Sequence, residues 1–308
     1  MTCRSRGLAI CSVILLVMLS LCVYLARPTL YWTTVYNQDV SSRTSMRLFY
    51  NRVPKCGSTT LLTLLRRLSG IHQFRHVHSK TYDKRLLSRP DQEELAKMIS
   101  SEPAPLSYDR HVYFLDFPSF GLSPPSYINV LREPTERIAS SFYYRHSVGR
   151  GNLSVAWRQK SLEDCIVQGH AECSFLEGQE NHWALTVPFF CGQDPHCTLI
   201  QNTWALQKAK ENIDQHYTVV GVLEELNSSL ALLEERLPQF FRGARHVFRE
   251  QRLHQNRNKN PIKRPVPTSV REMLRKNLSH EYDLYDFVQQ RFRRQLQTYV
   301  EPTSLGLR

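Results

Sequence analysis

The most constraining feature of this chain is a short loop between an apolar strand and an amphipathic helix. Residues 46–53 predict a strand, and residues 58–69 carry leucines at helical spacing. Between them stands Lys55-Cys-Gly-Ser-Thr-Thr60. Gly70 is expected to end the helix, because glycine is favoured just after a helix C-terminus. A helix N-terminus attracts anions through its free amides and its dipole, and Lys55 adds a full positive charge. The loop therefore predicts a phosphate-like or sulfate-like ligand.

The residue order in this loop differs from that of the common phosphate loop of ATPases and GTPases. That loop, Gly-x-x-x-x-Gly-Lys-Ser/Thr, places its lysine after the second glycine. Here Lys55 comes first, and Gly57, Ser58, Thr59 and Thr60 follow. No strand-borne aspartate stands out as a magnesium ligand, so a nucleotide hydrolase or a kinase is disfavoured. On the loop alone, an incidental lysine in a strand–helix turn is the plain alternative.

A second strand–loop–helix unit lies further along the chain. Residues 127–131 form a compact apolar run, Arg132 follows it, and Pro134 suits the first turn of a helix predicted over 134–145. Ser140 lies about two turns into that helix. An arginine can bind phosphate by charge-assisted contacts, although a single exposed arginine is more often a surface ion pair. Two such units in one chain indicate that each unit binds one end of the same anionic ligand.

Strand and helix patterns alternate along the chain, which indicates an α/β fold. Further strands are predicted over 112–116 and 218–223, and a helix over 227–237. This alternation is typical of a parallel sheet flanked by helices, with ligand-binding loops at the carboxyl ends of its strands. Near the C-terminus, Ser269 and Glu272 have the spacing of a helix capping box.

The beginning of the chain reads as a membrane anchor. Residues 8–26 carry no charge over 19 positions. Such a stretch just spans an apolar bilayer core of about 30 Å. Arg4 and Arg6 before it favour a cytosolic N-terminus, and a cleaved signal peptide is the alternative. The predicted organisation is a cytosolic tail (1–7), a transmembrane signal anchor (8–26), a short stem (27–45) and a single lumenal domain (46–308).

The charge balance points to an acidic partner. The 308 residues include 40 basic and 28 acidic side chains, a net charge of +12. Removing residues 1–26 takes away two arginines and no acid, so the predicted lumenal part keeps 38 basic and 28 acidic side chains. A domain of this kind is expected to hold a polyanion. The candidates are nucleic acid and sulfated polysaccharide, and the predicted topology disfavours nucleic acid.

The cysteines and glycosylation sequons fit an oxidising secretory compartment. Spacing favours two local disulfides, Cys165–Cys173 and Cys191–Cys197, which is one of three possible pairings, and Cys56 is predicted to be free. A zinc site is the rival interpretation, but the nearby histidines lack a ligand spacing. Three sequons begin at Asn152, Asn227 and Asn277.

Six segments carry a resemblance to a known family: 50–58, 111–117, 127–134, 188–192, 220–226 and 237–243. They resemble the Golgi uronosyl 2-O-sulfotransferases, over nearly the whole predicted lumenal part. That family has a heparan sulfate branch and a dermatan/chondroitin sulfate branch. Lys55-Cys-Gly-Ser58 and the sequence around His111 look more like the second branch. In the heparan branch a second histidine is expected where Asp109 stands here.

The resemblance implies a P-loop-like sulfotransferase fold and a metal-free reaction. The sulfate donor would be 3′-phosphoadenosine 5′-phosphosulfate (PAPS), and the acceptor the 2-hydroxyl of a uronic acid residue in a glycosaminoglycan. By position, His111 would be the catalytic base, with His78 in reserve, and Lys55 would contact the transferring sulfuryl group. The other implied donor contacts are Arg52, Gly57, Ser58, Thr59 and Thr60 on the 5′ side, and Arg132 and Ser140 at the 3′-phosphate.

The resemblance also implies a single-pass type II Golgi membrane protein and a homotrimer. A heparan sulfate acceptor, and a non-catalytic polyanion-binding membrane protein, are the alternatives that stay open. A basic segment covers 249–264, and its part 252–264 departs from the heparan pattern. It is predicted to be either a solvated surface loop or a flap over the donor or the acceptor.

Overall fold

The computed structural model describes residues 46–81, 84–148, 160–254 and 265–300. These residues belong to one compact unit that spans 45–308. The predicted tail, anchor and stem, the sequon at Asn152 and most of the basic segment lie outside the described residues. Within the described ranges, no helix has both the length and the apolarity that crossing a membrane requires.

A parallel five-stranded sheet forms the centre of the described residues. Its strand order is β2-β3-β1-β4-β5, so β1 lies in the middle and pairs with both β3 and β4. The strands are β1 (Arg47–Asn51), β2 (Arg75–His78), β3 (Leu106–Arg110), β4 (Ser126–Leu131) and β5 (Tyr217–Val222). The predicted α/β class with a central parallel sheet is confirmed.

Helices flank this sheet and connect its parallel strands. They are α1 (Ser58–His72), α2 (Arg89–Ser101), α3 (Pro134–Val148), α4 (Leu162–Val167), α5 (Pro188–Cys191), α6 (Thr203–His216), α7 (Leu226–Arg236), α8 (Pro238–Phe241), α9 (Ala244–His254), α10 (Thr268–Asn277) and α11 (Ser279–Val300). The strands and helices predicted around the two anion motifs and after residue 217 are confirmed, with ends that shift by up to three residues.

Aromatic rings fix the middle of the sheet. Phe49 of β1, Tyr127 of β4 and Tyr217 of β5 lie side by side, with ring centroids 5.1 and 5.2 Å apart. All three are nearly completely buried. Each ring of this size adds a large apolar area to the core, and tilted pairs contribute further. The central strand β1, after which the lysine loop begins, is therefore anchored in a buried aromatic cluster.

The predicted strand over 112–116 is wrong. The third strand is β3 (Leu106–Arg110), and residues 112–116 continue without regular structure, with 112–115 buried and Asp116 exposed. Ser107, Asp109 and Arg110 are polar and yet buried in β3. Because these residues are polar, the sequence pattern does not indicate a strand here. The apolar run that follows is buried by packing against other segments and not by strand pairing.

Two predicted helix ends are also wrong. Helix α1 continues through Gly70 to His72, and Gln73 takes the left-handed conformation at its end, with φ 57°. Helix α10 begins at Thr268, and no side-chain cap bond forms at its start among the described residues. Ser269 is thus inside the helix, so the predicted capping box is absent there.

Candidate functional site

The loop after β1 has the geometry of an anion cradle. Lys55 and Gly57 both adopt left-handed backbone conformations, with φ 66° and 78°. Gly57 occupies the N-cap position of α1, where the described residues provide no side-chain cap bond and no acid in the first turn. The amides of Thr60 and Leu61 bond to the Gly57 carbonyl at 3.0 and 3.3 Å. The amides that precede them, with the positive end of the dipole, face the loop.

Glycine at position 57 is favoured by its left-handed conformation and by a close neighbouring side chain. A Cβ placed there would lie 2.6 Å from Cδ1 of Leu223, the residue that follows β5. The left-handed φ already disfavours any side chain. The loop is therefore shaped against the end of β5, and a larger residue would move it.

Lys55 and Cys56 link the lysine loop to the Arg132 motif. The Lys55 ammonium lies 3.9 Å from the ring centroid of Tyr144 on α3. Partial burial, and next the charge of Arg132, lower the pKa of Lys55. Complete burial raises the pKa of the Cys56 thiol to about 12. Cys56 is the free cysteine of the described residues, as predicted, and its protonated thiol is unsuited to act as a nucleophile.

Arg132 stands directly after β4, beside the first turn of α3. Its Nη2 lies 3.4 Å from a carboxylate oxygen of Glu136, and the other oxygen of that carboxylate accepts a 2.6 Å hydrogen bond from Arg271 of α10. Ser140 is partly exposed on α3. Sequence reasoning missed Arg271, although its place soon after the basic segment 249–264 was a signal. The Arg132 region thus brings two arginines around one carboxylate.

His111 is the first residue after β3, and its ring is tied to the lysine loop. Its Nδ1 lies 2.8 Å from the backbone oxygen of Arg52. Because a carbonyl oxygen only accepts, Nδ1 carries the proton and Nε2 carries the basic lone pair. Burial, and next the charge of Arg52, lower the pKa of His111 to about 3. The ring is therefore neutral at physiological pH, the state that a general base needs.

The buried carboxylate of Asp109 positions Arg52. In the sequence alone, Asp109 stands out only as a departure from the heparan pattern. Asp109 of β3 is fully buried, and its Oδ1 lies 2.8 Å from Arg52 Nε. The same carboxylate contacts His78 Nδ1 at 2.9 Å and His76 Nε2 at 3.4 Å, both from β2. The Arg52 side chain is only 3% exposed, so its guanidinium lies under the loop. His78, the reserve base, is engaged with Asp109.

The two predicted disulfides are confirmed. Cys165 pairs with Cys173, and Cys191 pairs with Cys197. Among the described residues, the one cluster with metal-ligating atoms at suitable distances is Cys165, Glu172 and Cys173. Since both of its thiols form a disulfide, this cluster does not favour a metal.

The Cys191–Cys197 loop also supports the segment that carries His111. Gln193, inside this loop, donates to the Tyr113 carbonyl at 2.9 Å. Its side-chain oxygen accepts from the Leu87 amide at 2.7 Å. The disulfide therefore holds a side chain that joins two segments next to the site.

Two of the predicted sequons fall on described helices. Asn227 is exposed at the start of α7, and Asn277 is partly exposed at the end of α10. Ser229 of the first sequon is buried and bonded to the backbone of Val222. Glycosylation at these positions stays a prediction.

The described residues form an α/β protein with a parallel sheet, and its central strand leads into an anion-binding loop that begins with lysine. A neutral histidine is hydrogen-bonded to that loop. This arrangement is suited to an anionic ligand. Residues 39–288 match the sulfotransferase family, and the chain belongs to that family.

Its relatives include uronyl 2-sulfotransferases and heparan sulfate 2-O-sulfotransferases. The chain is 34% identical over 258 residues to uronyl 2-sulfotransferase of Homo sapiens, covering 80% of this chain and 62% of that protein. It is 33% identical to heparan sulfate 2-O-sulfotransferase 1 of Homo sapiens, covering 80% and 70%. It is 32% identical to the Drosophila melanogaster uronyl 2-sulfotransferase homolog pip, covering 79% and 52%. The chain thus spans less than two thirds of the uronyl 2-sulfotransferases it matches, and the resemblance seen in its motifs is confirmed.

Proposed function

We propose that this protein transfers a sulfuryl group from PAPS to the 2-hydroxyl of uronic acid residues, iduronate or glucuronate, in dermatan or chondroitin sulfate. One observation carries the proposal. His111, a neutral histidine, is hydrogen-bonded at 2.8 Å to the backbone of the same loop that forms the anion cradle. A base and an anion site in direct contact are what sulfuryl transfer to a hydroxyl requires.

The residues of the loop fit the donor. PAPS carries anionic groups at both ends of its nucleoside and supplies an activated sulfuryl group on its 5′-phosphate. Lys55, Gly57 and the first amides of α1 offer positive charge and hydrogen-bond donors for the 5′ end. Arg132 and Ser140, after the neighbouring strand β4, would hold the 3′-phosphate.

The chemistry assigned to this chain's own side chains is limited to proton transfer and charge neutralisation. His111 would take the proton of the acceptor hydroxyl on Nε2, while the Arg52 carbonyl keeps Nδ1 protonated and the ring oriented. Lys55 would neutralise charge that develops on the leaving oxygen. Charge neutralisation of this kind is the main catalytic contribution in the closely related phosphoryl transfers.

The acceptor class is tested by offering the purified protein several polysaccharides. Desulfated heparan, dermatan and chondroitin chains are incubated with radioactive PAPS, and the products are digested to disaccharides. We expect label on 2-O-sulfated uronate from dermatan or chondroitin chains. Label on heparan uronate instead would establish the heparan branch, since the identities of 34% and 33% to the two kinds of relative do not separate the branches. Label on hexosamine, or salt-sensitive polysaccharide binding without transfer, would refute the proposal.

We also propose that residues 8–26 anchor the protein in the Golgi membrane, with the remainder in the lumen. The charge-free run of 19 residues, the sequons and the two disulfides support this placement. Family resemblance supports a homotrimer. Protease protection in sealed membrane vesicles tests the topology, and light scattering on the purified protein tests the trimer. Cleavage of the domain in intact vesicles, or a monomer mass, would contradict the respective proposal.

A further inference from the structure

We propose that Asp109 is a positioning residue for the base: its buried carboxylate fixes Arg52, and the Arg52 carbonyl in turn fixes the ring of His111. The catalytic part of this inference rests on the proposed sulfuryl transfer. The structural part, that Asp109 controls the state of the His111 ring, stands independently of which reaction follows.

The contacts around Asp109 join three neighbouring segments. The carboxylate lies 2.8 Å from Arg52 Nε, and this contact is an ion pair between groups that are 3% and 0% exposed. On the other side it contacts His78 Nδ1 at 2.9 Å, where the strand register sets His78 opposite Asp109. The backbone agrees with this arrangement, because the Arg52 amide donates to the Arg110 carbonyl at 2.8 Å and the Ser79 amide donates to the Asp109 carbonyl at 3.0 Å.

A buried ion pair of this kind is a poor source of stability, since desolvation offsets most of its attraction. The contribution of this ion pair is to position Arg52 and to balance its charge. The Arg52 amide is bonded to the Arg110 carbonyl and its guanidinium is paired with Asp109, so both the backbone and the side chain of Arg52 are held next to β3. The Arg52 carbonyl holds Nδ1 of His111 at 2.8 Å. The Asp109 charge also offsets the Arg52 charge, which otherwise disfavours a proton on His111.

Other charged and titratable groups face this carboxylate from each neighbouring element. They are Arg66 from α1, His76 and His78 from β2, and Tyr50 and Arg52 from β1 and the loop that follows it. Arg52 is the member that contacts both Asp109 and His111, which makes it the link between the carboxylate and the base.

The test compares Asp109→Asn and Asp109→Glu with a matched control, Asp116→Asn. Asp116 lies on the same segment but is exposed. For each variant we would measure kcat and KM, the affinity for adenosine 3′,5′-bisphosphate, and the ring state of His111 by ¹⁵N NMR of histidine-labelled protein. The bisphosphate measurement reports on folding and on the donor site, independently of turnover.

We expect Asp109→Asn to lower kcat by about tenfold to a hundredfold, the size of effect that follows from a small misplacement of a reacting group. KM and bisphosphate affinity should change little, and the NMR signals of His111 should no longer show a single Nδ1–H tautomer. Asp109→Glu keeps the charge and should retain part of kcat, and Asp116→Asn should match the unchanged protein.

An unchanged Nδ1–H tautomer and an unchanged kcat in a folded Asp109→Asn variant would overturn the proposal. If that variant does not fold, Asp109→Glu decides alone: its longer side chain displaces the guanidinium, so a kcat equal to that of the unchanged protein would overturn it. If the unchanged protein shows no sulfuryl transfer but the tautomer still depends on Asp109, the proposed function fails and the structural part of this inference is retained.

Discussion

The tautomer and the charge of the His111 ring are both set by its surroundings. The Arg52 carbonyl keeps the proton on Nδ1, and burial keeps the whole ring uncharged. Histidine is otherwise half-protonated near pH 6.5, so an exposed ring would lose its basic form under mildly acidic conditions. Burial therefore keeps the His111 ring unprotonated over a wide pH range, and it also makes the ring a weaker base.

This burial predicts an unusual pH dependence of activity. Because the pKa of His111 is lowered from 6.5 to about 3, the basic form persists as the pH falls below 6.5. We expect kcat/KM to stay nearly constant between pH 7.5 and about 5, since this ratio reports the free enzyme's essential groups. Initial rates across that range provide the measurement, with a return to pH 7 as a control for irreversible loss. A midpoint near pH 6.5 would contradict a buried base.

At the scale of elements, the site depends on how α1 begins. Its N-cap residue is a left-handed glycine that touches the end of β5, whereas Gly70 lies in the interior of the same helix with open space around it. The two glycines provide a matched pair, because the same substitution meets opposite conditions at the two positions.

Gly57→Ala should destabilise the protein, and Gly70→Ala should stabilise it. At position 57 the side chain meets Leu223 at 2.6 Å in a left-handed conformation, and strain of that kind costs about 1–3 kcal/mol. At position 70 alanine should raise the free energy of unfolding by about 0.5–1 kcal/mol through helix propensity.

Urea unfolding measures both effects, and bisphosphate affinity should fall only in the Gly57→Ala variant. Changes of the same sign in the two variants, or unchanged affinity after Gly57→Ala, would show that the loop does not have this shape.

The elements also show where sequence reasoning succeeds. Strand β1, the lysine loop and α1 follow from local pattern, because an apolar run, a glycine and spaced leucines act over neighbouring residues. Strand β2 was missed, because Arg75-His-Val-His78 lies at the sheet edge and carries polar side chains. Strand β3 was placed too late, because its polar residues are buried only through partners on other segments.

The site residues also divide into those that local sequence motifs reveal and those that depend on tertiary contacts. The resemblance named His111, Lys55 and Arg132 because their motifs are local. Asp109 and Arg271 were missed, since their partners come from strand pairing and from a helix far along the chain. Whether a buried carboxylate is neutralised by an arginine is a property of tertiary contacts, and a single sequence does not display it.

For the whole molecule, buried neutral histidines link stability to pH. His76 on β2 has its pKa lowered from 6.5 to about 4, by burial first and then by the charge of Arg66. Between those values the unfolded chain binds a proton that the folded protein does not. Stability is therefore lost as the pH falls from 6.5 towards 4, while the raised pKa of Asp109 acts in the opposite direction.

We expect the free energy of unfolding to fall between pH 7 and pH 5, and to fall less in a His76→Gln variant. The difference between the two slopes approaches at most about 1.4 kcal/mol per pH unit below 6.5. Urea unfolding at several pH values gives both slopes, and His196→Gln, at an exposed histidine, is the control. Parallel curves for the His76→Gln variant and the unchanged protein would rule out a buried, neutral His76.

The molecule as a whole places the ends of β1 and β4 next to each other, each followed by a cationic residue and a helix. With a net charge of +12, the chain is suited to an anionic donor and a polyanionic acceptor. His111, next to the first of these loops, supplies the base. We propose that sulfuryl transfer takes place at this point.

The most direct test is the transfer of labelled sulfate from PAPS to a desulfated dermatan chain by the purified protein, with EDTA present. We predict labelled 2-O-sulfated uronate from the unchanged protein and from His196→Ala. In His111→Ala we predict turnover reduced by at least about 100-fold, with bisphosphate binding retained. Absence of transfer, or transfer that requires ATP and magnesium, would refute the proposed sulfuryl transfer. Near-normal turnover in His111→Ala would refute the role of His111 as the base.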